Sequence, residues 1–283
     1  MKPSSSKGVP DGPATLPNAN AGATFFFLSF VPLCGPARLS AIIPRVQPNK
    51  MSEANDKVRG VQQLPLFPLP VVLFPGVPLP LHIFEPRYRQ MLTDIRVNNN
   101  LFGLAYFDPT TTQNEVPPVG HVGCVAEVTE AYTFPDGRSN ILTIGLIRYR
   151  IDSYIERGDP YLVAQVSYFE DEEEEEATLE GTSKEVAETF TRIAQAVRTI
   201  NDERATLPDI SDTEPQRLSF LVAAAMEIEA DVKQELLELR STFERLQRLR
   251  SMLSVAVKSY EERARIHELA KSNGHSGRRI ELE

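Results

Sequence analysis

The chain has 283 residues, of which 41% are hydrophobic and 8% aromatic, and it carries a formal net charge of −9 at pH 7 with no tryptophan. This length allows one large or two modest domains with a substantial core. The acidic balance argues against nucleic-acid binding, because proteins of that class usually present a basic face to the phosphates. The two cysteines, Cys34 and Cys124, lie far apart, so no disulfide framework is predicted, and a reducing compartment such as the cytoplasm is favoured.

Residues 1–60 are predicted to form a disordered leader outside the fold. They are rich in Pro, Ser, Gly, Ala and Asn, and their apolar run, residues 25–33, is too short to span a bilayer. Residues 1–50 carry a net charge of +4, which leaves −13 on the remainder. Three origins compete for this segment. The segment could be a secretory signal, but it lacks well-placed basic residues and a clear cleavage site. A plastid transit peptide fits its scarcity of acids better. The third possibility is that the start before Met51 is mis-assigned and that Met51 is the true first residue.

Residues 64–95 combine seven prolines with the apolar density of a core. Proline has no backbone N–H, so it is confined to turns, edge strands and the first turn of a helix. Between the prolines we predict a strand over residues 71–74, a turn, and a second strand over residues 77–83. Apolar residues of the second strand alternate with Pro80 and His82, which predicts an edge strand with proline facing outward. Pro86 then opens a helix whose apolar side holds Tyr88, Met91, Leu92 and Ile95.

This stretch resembles the opening of the N-terminal, substrate-binding domain of Lon proteases. In that domain a run of the form LPLFPL..VLFPG..LPLHIFE.RYR.M starts the fold, and residues 64–91 follow it closely. The resemblance begins shortly after Met51, and for that reason we favour Met51 as the true start. A proline-rich PxxP ligand is the alternative interpretation, but such ligands are usually polar and exposed, whereas these residues are apolar enough to require burial.

Alternating apolar and polar residues return after this helix and predict further strands. These strands cover residues 101–107, 122–128, 141–144, 147–151 and 161–169, with a hairpin turn at residues 135–137. Six or so short strands with one early helix indicate a small, partly closed β-barrel. The order VGCVAEV, DGR and ILTIGLIRYRI also resembles the Lon N-terminal domain. The resemblance, which now covers residues 64–169, implies an α+β fold: a PUA-like pseudo-barrel of six strands over residues 61–170, followed by helices.

Seven consecutive acids at residues 170–176 follow the last strand. Like-charge repulsion keeps such runs extended and solvated, so we predict an acidic linker over residues 171–181. In the predicted strand over residues 147–151, Arg148 and Arg150 alternate with apolar residues and are predicted to face solvent.

From residue 182 to residue 272 the apolar period is helical, and residues 273–283 are predicted to be a flexible tail. Three capping boxes are predicted to start helices, at Thr182-x-x-Glu185, Ser211-x-x-Glu214 and Ser241-x-x-Glu244, and a short helix starts at Asp231. The last helix, residues 242–272, carries a seam typical of a coiled coil or bundle helix, formed by Leu246, Leu249, Leu253, Ala256 and Tyr260. In the Lon family the helical half also ends in a long helix, and KQELLEL resembles its opening.

The sequence lacks the phosphate-loop signature of the Lon ATPase and the motifs of two other common classes of hydrolase. Within its 283 residues there is no G-x-x-x-x-G-K-[ST] phosphate loop, no G-x-S-x-G nucleophile elbow and no H-E-x-x-H zinc helix. His121 and Cys124 are two zinc-type ligands, but a structural site requires four, so Cys124 is predicted to be a small core residue instead. We therefore predict a protein that is not an enzyme and has neither a metal nor a cofactor, with an ATP-dependent peptidase as the less favoured alternative.

The resemblance implies a non-catalytic module that holds unfolded or hydrophobic protein segments in protein quality control. An edge strand offers unpaired backbone groups, and the side chains around it offer pockets. The candidate contact residues, all equally compatible with an ordinary barrel core or rim, are Val77, Leu79, His82, Tyr88, Tyr132 and Phe134. The alternative is an adaptor or assembly protein whose long C-terminal helix pairs with a second copy or another partner. A protease or a chaperone is a further candidate partner, whereas neither nucleic acid nor a membrane is expected as one.

Overall fold

The computed structural model of the chain describes residues 51–108, 110, 116–203 and 207–274. The predicted leader up to residue 50 and the predicted tail from residue 275 lie outside the described residues. Residues 51–60 were assigned to the leader, but Met51–Val58 forms helix α1. This helix buries Ala54 and Val58 against apolar side chains of the strands, so residues 51–58 belong to the fold and not to a disordered leader.

Six strands form one sheet. They are β1 (Gln63–Leu69), β2 (Pro78–Ile83), β3 (Leu101–Tyr106), β4 (Val122–Thr133), β5 (Ser139–Tyr154) and β6 (Leu162–Phe169). The strand order is β2-β5-β4-β3-β1-β6, and β5 also pairs with β6, which closes the barrel and leaves β2 as an edge. β1 and β3 are parallel, whereas the other strand pairs within the described residues are antiparallel. The α+β class, the six strands and the edge position of β2 are confirmed.

The first strand lies earlier than predicted, at residues 63–69 instead of residues 71–74. Its two prolines are tolerated because β1 is staggered between its neighbours. β6 pairs with residues 63–66 and β3 with residues 66–69, so Pro65 and Pro68 each have a partner strand on one side only. A proline in a strand needs such an unpaired side, because it has no N–H to donate.

Gly145, which we predicted to separate two strands, lies within the continuous strand β5. Here the chain from Phe74 to Val77 crosses the strand closely: a Cβ atom on Gly145 would lie 2.2 Å from the carbonyl oxygen of Phe74. The Gly145 N–H donates to the Val77 carbonyl at 3.0 Å, and the Gly76 N–H donates to the Gly145 carbonyl at 2.8 Å. The glycine therefore marks a close backbone approach, and the strand does not end there.

Five further helices complete the described chain: α2 (Pro86–Arg96), α3 (Glu176–Ile200), α4 (Pro215–Ala225), α5 (Ala230–Glu238) and α6 (Thr242–Gly274). The predicted apolar side of α2 is confirmed, since its buried residues are Tyr88, Met91, Leu92 and Ile95. The predicted N-cap at Ser241 is confirmed, because its Oγ accepts the N–H of Glu244 at 3.0 Å, but the Glu244 carboxylate accepts from Arg248 at 2.8 Å and does not complete the capping box. The predicted capping box at Thr182 is wrong, because α3 begins at Glu176 and Thr182 is buried within the helix. Acidic residues stabilise a helix N-terminus through its positive dipole end, which is consistent with a start at Glu176.

The helical half has its own core, to which α3, α4 and α6 contribute. Part of the predicted seam of α6 lies inside it: Leu246, Leu249 and Leu253 are fully buried among residues of the other helices, whereas Ala256 and Tyr260 are only half-buried. Phe74 belongs to the same core, so the segment after β1 also connects the barrel to the helices. Within the described residues no helix is long and apolar enough to cross a membrane.

A buried charge cluster joins the two halves, and it corrects two predictions. Asp171, assigned to a solvated linker, forms ion pairs with Arg148 of β5 and Arg245 of α6, and all three side chains are buried. The guanidinium of Arg148 also donates to the carbonyl oxygen of Leu237 at 3.0 Å. Arg148 does point away from the barrel interior, as predicted, but the helices cover that outer face. We call these three residues the Arg–Asp–Arg cluster.

Candidate functional site

The site begins where the edge strand β2 pairs with the β4–β5 hairpin. Register places His82 opposite Asn140, and Asn140 opposite Tyr132, so these three residues lie side by side on adjacent strands. Directly opposed residues in a sheet share a face, and here that face is exposed. His82 Nδ1 and Asn140 Oδ1 lie 2.6 Å apart, a hydrogen bond that fixes the imidazole against the hairpin.

Four aromatic side chains form a surface cluster on this face. We define the aromatic cluster as His82, Phe84, Tyr132 and Phe134. The His82 ring stacks on Phe84 with centroids 6.0 Å apart, and Tyr132 meets Phe134 edge to face at 5.0 Å. Tyr132 is 64% exposed and Phe84 is 37% exposed. Large apolar groups that are clustered and exposed are typical of binding surfaces, because their contact with water is unfavourable until a partner covers them.

The free edge of β2 has few hydrogen-bond donors. The Gly145 N–H donates to Val77, and bonded pairs alternate along an antiparallel ladder, so residues 78, 80 and 82 turn their backbone groups outward. Pro78 and Pro80 have no N–H, and His82 is therefore the one residue of the three with an outward donor. The edge was predicted to offer unpaired backbone groups, but most of those it offers are carbonyl oxygens. Prolines at such positions discourage the addition of another strand.

The structure separates the six predicted contact residues into two sets. His82, Tyr132 and Phe134 come together in the aromatic cluster. Val77, Leu79 and Tyr88 are buried instead, because each belongs to an apolar set that faces the interior, and the Tyr88 ring packs against Phe67 with centroids 4.0 Å apart. Sequence reasoning missed Phe84, although it continues the exposed alternation of Pro80 and His82.

A groove with different chemistry lies between α2 and the β4–β5 hairpin. Its volume is about 670 Å³, and the polar and charged residues that line it are Arg89, Gln90, Thr93, Arg96, Thr133 and Ser139. The hairpin turn contains Gly137 at φ +84°, and the Arg89 guanidinium lies so close that a Cβ atom there would come within 1.8 Å of it. Residue 137 must therefore adopt a left-handed backbone conformation and leave space for the Arg89 side chain, and glycine satisfies both requirements.

Potential catalytic and metal-binding groups elsewhere are buried or isolated. Burial raises the pKa of the Cys124 thiol, which disfavours the reactive thiolate. Burial also lowers the pKa of His121 below its ordinary 6.5, although Glu238 acts in the opposite direction. Within the part of the chain that the structure describes, no group of three or more His, Cys, Asp and Glu residues is arranged to hold a metal ion.

Comparison with known proteins identifies the family to which the chain belongs. A model of the ATP-dependent protease La (LON) substrate-binding domain matches residues 63–255, which include all six strands and most of the helical half. The chain belongs to the Lon substrate-binding domain family. The Lon protease of Brevibacillus choshinensis is 27% identical over 198 residues, which cover 69% of this chain and 25% of that protein. This chain thus spans about a quarter of the length of the curated relatives that it matches.

Solved structures of Lon N-terminal domains have the same fold. The Lon N-terminal domain protein from Xanthomonas campestris matches with a TM-score of 0.50 and 22% identity, over 66% of this chain and 96% of that one. The N-terminal domain of Mycobacterium avium complex Lon protease matches with a TM-score of 0.52 and 17% identity, over 68% of this chain and 98% of that one. The resemblance predicted from residues 64–169 is therefore confirmed and extends into the helices.

Proposed function

We propose that this domain binds unfolded or hydrophobic protein segments and holds them for other components of protein quality control without cleaving them itself. The observation that carries the proposal is the aromatic cluster, an exposed apolar surface on the face of the sheet next to its free edge. Membership of a family defined by substrate binding supports the same role. A protease or a chaperone would receive the held segment.

Contact through side chains fits this surface better than strand addition. Pro78 and Pro80 remove backbone donors from the free edge of β2, whereas the rings of Tyr132 and Phe84 remain accessible. Aromatic rings contact apolar side chains with little loss of rotamer entropy and without a requirement for one sequence. A surface of this kind would accept many unfolded segments.

The size of the cluster indicates weak, reversible binding. Full burial of one apolar side chain contributes about 1.5–3 kcal/mol, and a shallow cluster covers two or three such groups only in part. Association itself costs at least about 4 kcal/mol. The expected affinity is therefore micromolar or weaker, which suits a module that must release its client.

The test is a titration of fluorescein-labelled, reduced and carboxymethylated α-lactalbumin, a permanently unfolded protein, with the full chain, followed by fluorescence polarisation. We expect binding that ATP does not change, and gels of the same samples should show no cleavage. The double variant F84S/Y132S should bind about tenfold more weakly. The matched control is V255S, because Val255 is 80% exposed but lies on α6, away from the cluster.

Two results would overturn the proposal in different ways. Wild-type affinity in the folded double variant would remove the aromatic cluster as the binding surface. Cleavage of the labelled protein without ATP would contradict the non-catalytic role. Circular dichroism of both variants separates a loss of binding from a loss of folding.

A further inference from the structure

We infer that the groove between α2 and the β4–β5 hairpin is a second subsite, which binds carboxylate side chains of the same protein segment that the aromatic cluster holds. The inference rests on the proposed function, because it assigns to the client a second chemical feature besides apolar residues. It predicts that this domain prefers segments in which Asp or Glu lies close to apolar side chains.

The groove carries a local positive charge. Arg89 and Arg96 line it, and no carboxylate does. The nearby acids have other hydrogen-bond partners: Asp94 accepts hydrogen bonds from Gln90 and from Tyr161, each at 2.8 Å, and Asp136 pairs with Arg138 at 2.7 Å. Hydrogen bonds from Arg138, and to a smaller degree the charges of Arg138 and Arg89, lower the pKa of Asp136, so this exposed carboxylate offsets only part of the Arg89 charge. On a chain with a net charge of −9, two arginines without a lining acid form a local positive site.

The arginine side chains of the groove have hydrogen-bond donors that no group in the described part of the chain uses. Within the described residues, neither the Arg89 nor the Arg96 guanidinium donates a hydrogen bond to a protein group. The hydroxyl groups are already occupied, since Thr93 donates to the Arg89 carbonyl at 3.0 Å and Thr133 shares a 3.0 Å hydrogen bond with Ser139. The free charged donors are therefore the two planar guanidinium groups, each of which matches a carboxylate through two parallel N–H···O bonds.

The groove lies on the opposite face of the β4–β5 hairpin from the aromatic cluster. Thr133 and Ser139 line the groove, while their chain neighbours Tyr132, Phe134 and Asn140 lie on the other face of the same hairpin. Successive residues of a strand point to opposite faces. One segment that passes over the hairpin tip therefore meets rings on one side and arginines on the other.

The test compares two fluorescein-labelled peptides with the same apolar residues, one with two Glu residues and one with Gln in their place. Polarisation with the full chain at low salt should show about tenfold tighter binding of the Glu peptide, and added salt should reduce the difference. The variant R89Q/R96Q should bind both peptides with the affinity that the wild type has for the Gln peptide. The control R59Q/R157Q makes the same change in net charge at exposed arginines outside the groove and should keep the preference.

The outcomes separate this inference from the proposed function. Equal binding of the two peptides, unaffected by R89Q/R96Q, would remove the carboxylate subsite but leave the apolar site standing. Failure of the wild type to bind either peptide would contradict the proposed function itself. If an unlabelled single-stranded oligonucleotide displaces the Glu peptide more effectively than an unlabelled copy of that peptide, the groove is a phosphate site and the assignment to carboxylates is wrong.

Discussion

The side chains of Arg148 and Asp171 form an ion pair inside the protein, with 1% and 4% of their surfaces exposed. Arg245 pairs with the second oxygen of the same carboxylate, and its guanidinium lies 3.9 Å from the centroid of the Phe220 ring. Two cations thus share one anion at the junction of the barrel and the helices. The carboxylate of Asp171 is therefore the group whose removal would leave the most charge uncompensated.

The first prediction concerns the stability that this arrangement provides. D171N should lower the free energy of unfolding by roughly 3–5 kcal/mol, because it leaves two buried guanidinium groups without an anion. The matched control is E173Q, an exposed acid of the same run, which should change stability by less than about 0.5 kcal/mol. Urea denaturation followed by circular dichroism measures the stability of both variants. If D171N lowered stability as little as E173Q does, the Arg–Asp–Arg cluster would contribute little to the free energy of unfolding.

The second prediction is the acid sensitivity of the same cluster. Burial alone would raise the pKa of Asp171, but hydrogen bonds and charges from Arg245 and Arg148 outweigh it and hold the pKa below its ordinary 3.8. The unfolded chain therefore takes up a proton at this site at a higher pH than the folded chain does. The stabilisation is complete above about pH 3.8 and is lost as the pH falls through the folded pKa.

Urea midpoints measured between pH 6 and pH 2.5 test this prediction. Wild-type stability should fall more steeply below pH 4 than that of D171N, which has no proton to take up at residue 171. Parallel curves for the two proteins would show that Asp171 does not titrate differently on unfolding.

The cluster also shows where sequence reasoning stops. Alternation along β5 correctly placed Ile147 and Tyr149 inside the barrel and Arg148 outside it. Periodicity describes the two faces of a strand, but it does not reveal whether a distant helix covers the outer face. Asp171 was missed for the same reason, since its two partners lie 23 and 74 residues away along the chain.

The part of the candidate site that depends on sequence pattern and strand pairing, the aromatic cluster, could be predicted in large part from the sequence. Patterning and expected proximity to the edge strand suggested His82, Tyr132 and Phe134, and the structure brings these three side chains together. Val77, Leu79 and Tyr88 are buried instead, because an apolar residue in an alternating or helical pattern usually belongs to the side that faces the core. The groove was not predicted at all, because α2 and the hairpin that form it are brought together only by the fold.

The third prediction uses two glycines with opposite surroundings. G145A should destabilise the protein by roughly 1–3 kcal/mol, because the added Cβ atom meets the backbone of Phe74, which has no rotamer with which to move away. G181A should stabilise it by about 0.5–1 kcal/mol, because Gly181 lies within α3 and no atom comes within 4 Å of an added Cβ. Thermal unfolding of both variants checks the signs, and a neutral G145A would contradict the close crossing at β5.

The fourth prediction concerns the free edge of β2. P80V introduces a backbone N–H that points away from β5, near the outward backbone N–H and C=O of His82. The edge can then accept another strand. We expect the mass of P80V to rise with concentration more steeply than that of the wild type in sedimentation equilibrium. The control is P70V, which removes an exposed proline that follows β1 and lies outside any strand.

The same pair of variants separates two modes of client binding. If clients bind through side chains at the aromatic cluster, P80V should hold the labelled α-lactalbumin no more tightly than P70V does, even where it self-associates. Tighter client binding by P80V would instead indicate that segments add to β2 as a strand, and that Pro80 normally weakens this contact. Unchanged mass and unchanged binding in P80V would mean that the edge is protected by something other than its prolines.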